Sequence, residues 1–200
     1  MLFGIFLSFQ EPVYPQSKVK TFYNAFASYN KVEGFYVGHE FEIRSNKHQF
    51  SIRYNYEAIK HLTAYYGYVF SSNTKDHEIE ITPMIGLTTD FKKTGSSFGV
   101  QGYYYSSTNK LFFYAQAYHL NYFKKGADSF FYNWTEGGYD IKNKLIIGGS
   151  YILYAEAGCL TVSYGPFLYK EINDKFSCSA YILSFGNSNQ YYLIGVSFKL

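Results

Sequence analysis

Residues 49–58 read QFSIRYNYEA. The even positions, Phe50, Ile52, Tyr54, Tyr56 and Ala58, are apolar or aromatic. The odd positions, Gln49, Ser51, Arg53, Asn55 and Glu57, are polar or charged. Successive side chains of a strand point to opposite faces, so this alternation predicts an extended segment with one face out of water. Whether protein or lipid covers that face decides the fold.

The unit recurs. From residue 18 onward, about ten to thirteen strand-like residues alternate with short polar breaks such as SNKH (45–48), SSNTKD (71–76), SSTNK (106–110) and KEINDK (170–175). Eleven such breaks delimit about twelve strands. Breaks rich in Asn, Asp, Ser, Gly and Lys make hairpin turns, and connections this short join only antiparallel neighbours. In HEIEITPMIGL (77–87), Ile79, Ile81, Pro83, Ile85 and Leu87 oppose Glu78, Glu80 and Thr82. In GFYVGHEFEIRS (34–45), Phe35, Val37, Phe41 and Ile43 oppose Gly38, Glu40, Glu42 and Arg44. Residues 112–123 and 129–139 are aromatic on both faces, which leaves their registers open. Pro83 and Pro166 stand mid-strand with no ladder donor, a sign of local irregularity.

A hairpin turn just after Ser45 gives one register that satisfies both faces at once. It sets Glu40 against Arg53 and Glu42 against Ser51, and on the apolar side Phe41 against Ile52 and Ile43 against Phe50. An opposite-charge pair directly across two strands adds to the case.

Composition narrows the class. Aromatic residues form 22% of the chain, with 24 Tyr and 20 Phe, whereas charged residues form 16%. Tyr favours strands and carries an apolar ring with a polar tip. A formal charge of +3, spread along the chain, argues against nucleic acid as a partner. No run reaches the roughly 18–20 apolar residues of a membrane-spanning helix. The opening MLFGIFLSFQEP reads as a residual signal peptide or other N-terminal extension over 1–17, or as a short buried first strand. The hairpin expected about 170–175 keeps Cys159 and Cys178 on the order of 20 Å apart, so both are expected to be free thiols.

Three features favour lipid over core. The strands have the length of a tilted bilayer crossing, about 9–11 residues, rather than the five or six usual in soluble sheets. Twelve strands closed into one barrel enclose more space than side chains comfortably fill. Aromatic clusters such as YYGYVF, QGYYYSS and NQYYLIG stand near strand ends, where membrane–water boundaries favour them. The expected fold is all-β: a closed antiparallel up-and-down transmembrane β-barrel of about 12 strands over 18–200.

In this pattern the chain resembles Gram-negative outer-membrane β-barrel proteins. The final strand QYYLIGVSFKL (190–200) is similar to the aromatic closing strand by which the barrel-assembly machinery recognises them, though it ends in Leu200 rather than Phe. The resemblance implies a bacterial outer-membrane location, contact with outer-membrane lipids, and periplasmic termini. The external connections would then be NKVE, EAIK, DFKKTGSS, FKKGADS, EAG and GNSNQ, all too short to build a loop that constricts the lumen.

The polar faces give lumen-lining candidates Glu40, Glu42, Arg44, Arg53, Asn55, Glu57, Glu78, Glu80, Gln101, Tyr103 and Tyr105. Such a mixed-charge wall either orients a small polar solute or braces the barrel. Five histidines are the candidates for catalysis in a lipid-modifying barrel enzyme. His48, His61 and His77 lie at turns, and His39 and His119 fall on the apolar face without the spacing of barrel phospholipases. No catalytic residue, metal site or cofactor is assigned. The expected function is a passive porin-like channel for small polar solutes; the alternatives are a lipid-modifying barrel enzyme and a soluble all-β binding protein.

Overall fold

A computed structural model describes residues 19–30, 34–56, 60–124, 126–142, 144–184 and 190–200. The N-terminal segment expected over 1–17 and Glu57 lie outside the described residues. The strands are β1 (Lys20–Asn30), β2 (Gly34–Ser45), β3 (His48–Tyr54), β4 (Leu62–Tyr68), β5 (Phe70–Asn73), β6 (His77–Thr89) and β7 (Thr94–Ser106). They continue with β8 (Leu111–Tyr122), β9 (Phe130–Lys142), β10 (Leu145–Glu156), β11 (Cys159–Asn173), β12 (Phe176–Leu183) and β13 (Tyr191–Lys199).

All neighbours are antiparallel and consecutive, β1 pairs with β13, and β4 pairs with β6. The sheet therefore closes on itself. Gly67 faces Met84 and Phe70 faces Ile81, so β4 and β5 share one register along β6 and form a single stave broken at Val69. Twelve staves make the barrel. The break lies beside Pro83, which has no amide to give the ladder. Pro166 has a matching role: β11 pairs with β12 only from Phe167 onward.

The β2–β3 register is the one expected, with Glu40 opposite Arg53 and Ile43 opposite Phe50. Several turns are tighter than their composition suggested. Thr94–Ser97 belong to β7 and Lys170–Asn173 to β11, because the neighbouring ladders hold these polar residues extended. Both cysteines are free, as expected.

The outside is a continuous apolar belt. Phe35, Ile85, Leu87, Leu160, Tyr164 and Ile194 are each more than 60% exposed, far beyond the scattered apolar residues of a soluble surface. The aromatic excess is not confined to the barrel ends. Tyr65, Tyr118, Phe130, Tyr132, Trp134, Phe167 and Tyr181 point inward and are buried. In β8 and β9, the segments that read as aromatic on both faces, the inward set is Tyr118, Leu120, Phe130, Tyr132 and Trp134. These rings occupy space that the strand count alone assigned to solvent.

Candidate lumen site

The lumen has two unlike walls. Strands β2, β3, β6 and β7, with Asn24 of β1, contribute most of its charged and amide groups. Arg53 Nε donates to Glu40 Oε1 at 2.7 Å, and both side chains are almost fully buried. Asn24 Nδ2 donates to the other oxygen of Glu40 at 2.9 Å. Arg44 bridges Glu42 and Glu80, the latter at 2.6 Å. Gln49 Nε2 bonds Glu42 at 2.8 Å and Gln101 at 3.0 Å, which ties the second pair to β7. Alternation on short antiparallel hairpins places all these groups on one face, and barrel closure turns that face inward.

Strands β8, β9, β11 and β12 contribute rings instead. Trp134 lies 5.5 Å from Tyr181, which stacks on Phe167 at 5.7 Å, and Phe167 meets Phe112 at 6.2 Å. Glu136 is the carboxylate of this wall; the Trp134 indole donates to it at 2.7 Å. Asp140, farther along β9, accepts from the Tyr105 hydroxyl at 2.7 Å.

The walls meet at Tyr56. Asn55 adopts φ +52, its Nδ2 donates to the Val37 carbonyl at 3.1 Å, and its Oδ1 accepts from the Lys60 amide at 2.6 Å. The extended run of β3 ends there, and the next side chain drops into the lumen. The Tyr56 ring stacks on Trp134 at 6.3 Å, meets Phe26 edge-on at 5.4 Å, and lies over the Arg53 guanidinium at 4.8 Å. Gln116 Nε2 donates to its hydroxyl at 3.1 Å. Alternation assigned Tyr56 to the apolar outer face; the left-handed Asn55 breaks that parity and reverses the assignment. Tyr56, just before the EAIK connection, narrows the lumen; residues 57–59 of that connection lie outside the described residues.

Gly38 makes room for this inward turn. A Cβ there would stand 2.7 Å from the Asn55 carbonyl oxygen and 3.7 Å from the Tyr56 Cα. Arg53 also sits over Tyr65 and Tyr118, at 5.0 and 4.7 Å. Around this level the inward residues Glu40, Arg53, Thr63, Gln116, Trp134, Ser150, Phe167 and Tyr181 are all buried, so side chains fill the cross-section.

Between this level and the end that carries the termini lies a cavity of about 320 Å³. Its lining includes Glu40, Glu42, Arg44 and Gln101 on one side and Phe112, Trp134, Glu136 and Tyr181 on the other. Arg53 lies beneath this wall, and Glu80 reaches it through Arg44. Glu78 is exposed on β6 opposite Tyr105, and Tyr103 packs against Phe112. Asn55 braces the turn rather than the wall.

Gln49, Tyr56, Gln116, Trp134 and Glu136 escaped sequence reasoning. Glu136 and Asp140 share the parity of Trp134 and could have fixed the inward face of β9, but the aromatic residues on its other face hid that signal. His39 and His119 lie on the outer face: His39 Nδ1 meets the Tyr23 hydroxyl at 2.7 Å, and His119 Nε2 meets Asn121 at 3.1 Å. Among the described residues, no three His, Cys, Asp or Glu side chains converge as metal ligands would.

No protein-family model matches the chain, and no curated relative matches it either. Solved structures do. The closed twelve-stave barrel is the fold of outer-membrane porin barrels. The NanC porin superposes with a TM-score of 0.57 at 13% identity, covering 89% of this chain and 100% of that one. The KdgM porin in complex with disordered oligogalacturonate superposes at 0.55 with 12% identity, covering 90% and 99%.

Proposed function

We propose that this protein is a porin-type channel of the bacterial outer membrane that passes small polar solutes. The observation that carries this reading is a lumen-side cavity lined by the carboxylates of Glu40 and Glu42 and the Arg44 guanidinium, inside a barrel whose outer face is apolar. Lipid satisfies the outer belt, and closure of the ladder pairs most strand backbone groups that would otherwise face hydrocarbon. The termini end is periplasmic in this reading; Glu40, Glu42, Arg44 and Gln101 face the solute, with Glu80 holding Arg44 from behind. Passage requires the Tyr56 side chain to move aside, because side chains fill the lumen at the Arg53 level. The KdgM complex suggests an acidic oligosaccharide as one candidate solute, but the carboxylates of this cavity would repel it.

That same filled cross-section favours a second reading, a closed barrel with a structural role. Planar-bilayer recording separates the two. A channel gives unitary conductance steps, larger and longer in Tyr56→Ala than in the unaltered chain. Silence from both folded proteins would reject the channel.

A further inference from the structure

We propose that the cavity at the termini end binds an organic ammonium ion, and that the path through the lumen prefers cations. The second clause rests on the channel reading above; the first does not. Two independent features converge on this ligand.

The first is charge. The cavity lining carries three carboxylates, Glu40, Glu42 and Glu136, and one guanidinium, Arg44; Glu80 and Arg53 pair with this set from just outside it. The excess persists even if Glu136 carries a proton. Toward the rim, Asp140 adds a further carboxylate, Lys144 is taken up by Glu171 at 2.9 Å, and the exposed Lys20 and Lys199 stand opposite Arg44 and Phe22 on the inward face. The whole chain carries a formal +3, so the negative excess belongs to the lumen and not to the composition. Low-dielectric walls concentrate such a field and enrich the counter-ion.

The second is the setting of Glu136. The residue is 7% exposed, lines the cavity, and accepts from two neutral donors, the Trp134 indole and the Tyr181 hydroxyl, rather than from a cation. Around it stand Phe26 and Tyr181, each 5.5 Å from Trp134, and Tyr56 at 6.3 Å. A buried carboxylate wants a countercharge. A weakly hydrated ammonium gives one and presents alkyl groups to ring faces, the combination aromatic cages use. A hydrated metal ion would lose its water shell against such rings, and an acid would meet the carboxylates. A sugar fits the rings but leaves the charge unanswered.

Trp134 is the only tryptophan, so its emission reports occupancy of this cavity directly. Detergent-folded full-length protein is titrated with tetramethylammonium and choline, and separately with glucose and galacturonate. Saturable quenching or shift is expected with both ammonium ions and not with galacturonate. Glu136→Gln is expected to weaken ammonium binding about tenfold or more, since it removes the charge pairing. Phe26→Leu, which keeps the carboxylate, is expected to weaken it by a smaller factor and serves if the first variant does not fold. Saturation by glucose or galacturonate but not by ammonium overturns the site, as does unchanged affinity in the folded variants. In bilayers under a salt gradient, the reversal potential should report cation preference, and anion preference overturns the second clause. Ammonium binding by a non-conducting protein would sink the channel and leave the site standing.

Discussion

Gly38 and Tyr56 touch across the inner wall: the Tyr56 Cα lies 3.7 Å from where a Cβ on Gly38 would stand. The missing methyl group is what lets the chain after β3 lie flat on β2. Gly38→Ala puts that methyl 2.7 Å from the Asn55 carbonyl and should push the turn off the wall. Its expected result is higher or more frequent conductance in bilayers, with the folded, unheated gel mobility unchanged. Conductance equal to that of the unaltered chain would show that the turn is not the constriction.

The Glu40–Arg53 pair is buried on both sides. Arg53→Met leaves Glu40 with a buried, uncompensated charge, and should cost roughly 3–5 kcal/mol of stability. Replacing both partners by Met should recover most of that loss, since the charge and its countercharge leave together. Urea unfolding in detergent, followed by gel mobility, measures both; equal losses in the single and double variants would refute the argument.

Ile85 stands 67% exposed near the middle of β6, on the belt assigned to lipid. Ile85→Lys should destabilise the barrel in bilayers by about 2–4 kcal/mol, the cost of a cation at the membrane midplane. In a soluble protein the same change at an exposed site would be nearly silent. Unfolding from lipid vesicles distinguishes the two.

His61, in the turn before β4, is buried against Phe130 at 5.2 Å and meets the Tyr122 hydroxyl through Nε2 at 2.7 Å. Burial lowers its pKa; Asp90 opposes that shift, Lys93 adds to it, and Glu156 opposes it. The folded state therefore binds this proton less readily than the unfolded chain, and the neutral ring contributes stability that is full above about 6.5. That contribution is lost as the pH falls below that value toward the lowered pKa. Melting temperature in detergent should drop between pH 7.5 and 5 by more than in His61→Gln, and parallel curves would exclude His61 as the cause.

Much of this fold was legible. Alternation in 34–45, 49–54 and 77–87 gave strand faces and the β2–β3 register, because each segment is apolar on one side only. Polarity of Glu40, Glu42, Arg44, Arg53, Glu80 and Gln101 gave one wall of the lumen. The other wall was hidden, since Trp134 and Tyr118 look like lipid-facing residues until closure shows which way they turn. Tyr56 was misassigned for a different reason. A single left-handed residue, Asn55, resets the period-two count, and its only mark in the letters YNYE is that asparagine enters this region more readily than other side chains do.

The seam that completes the cylinder joins the two ends of the polypeptide: Phe22 lies beside Lys199, and the Leu200 amide donates to the Thr21 carbonyl at 2.9 Å. The opening stave thus has no second neighbour until the last residues have been synthesised and delivered. Closure must bring together strands separated by the whole length of the sheet, so assembly should be slow and nearly all-or-none. Trimming the final stave should leave an open, sticky ribbon instead of a narrower tube.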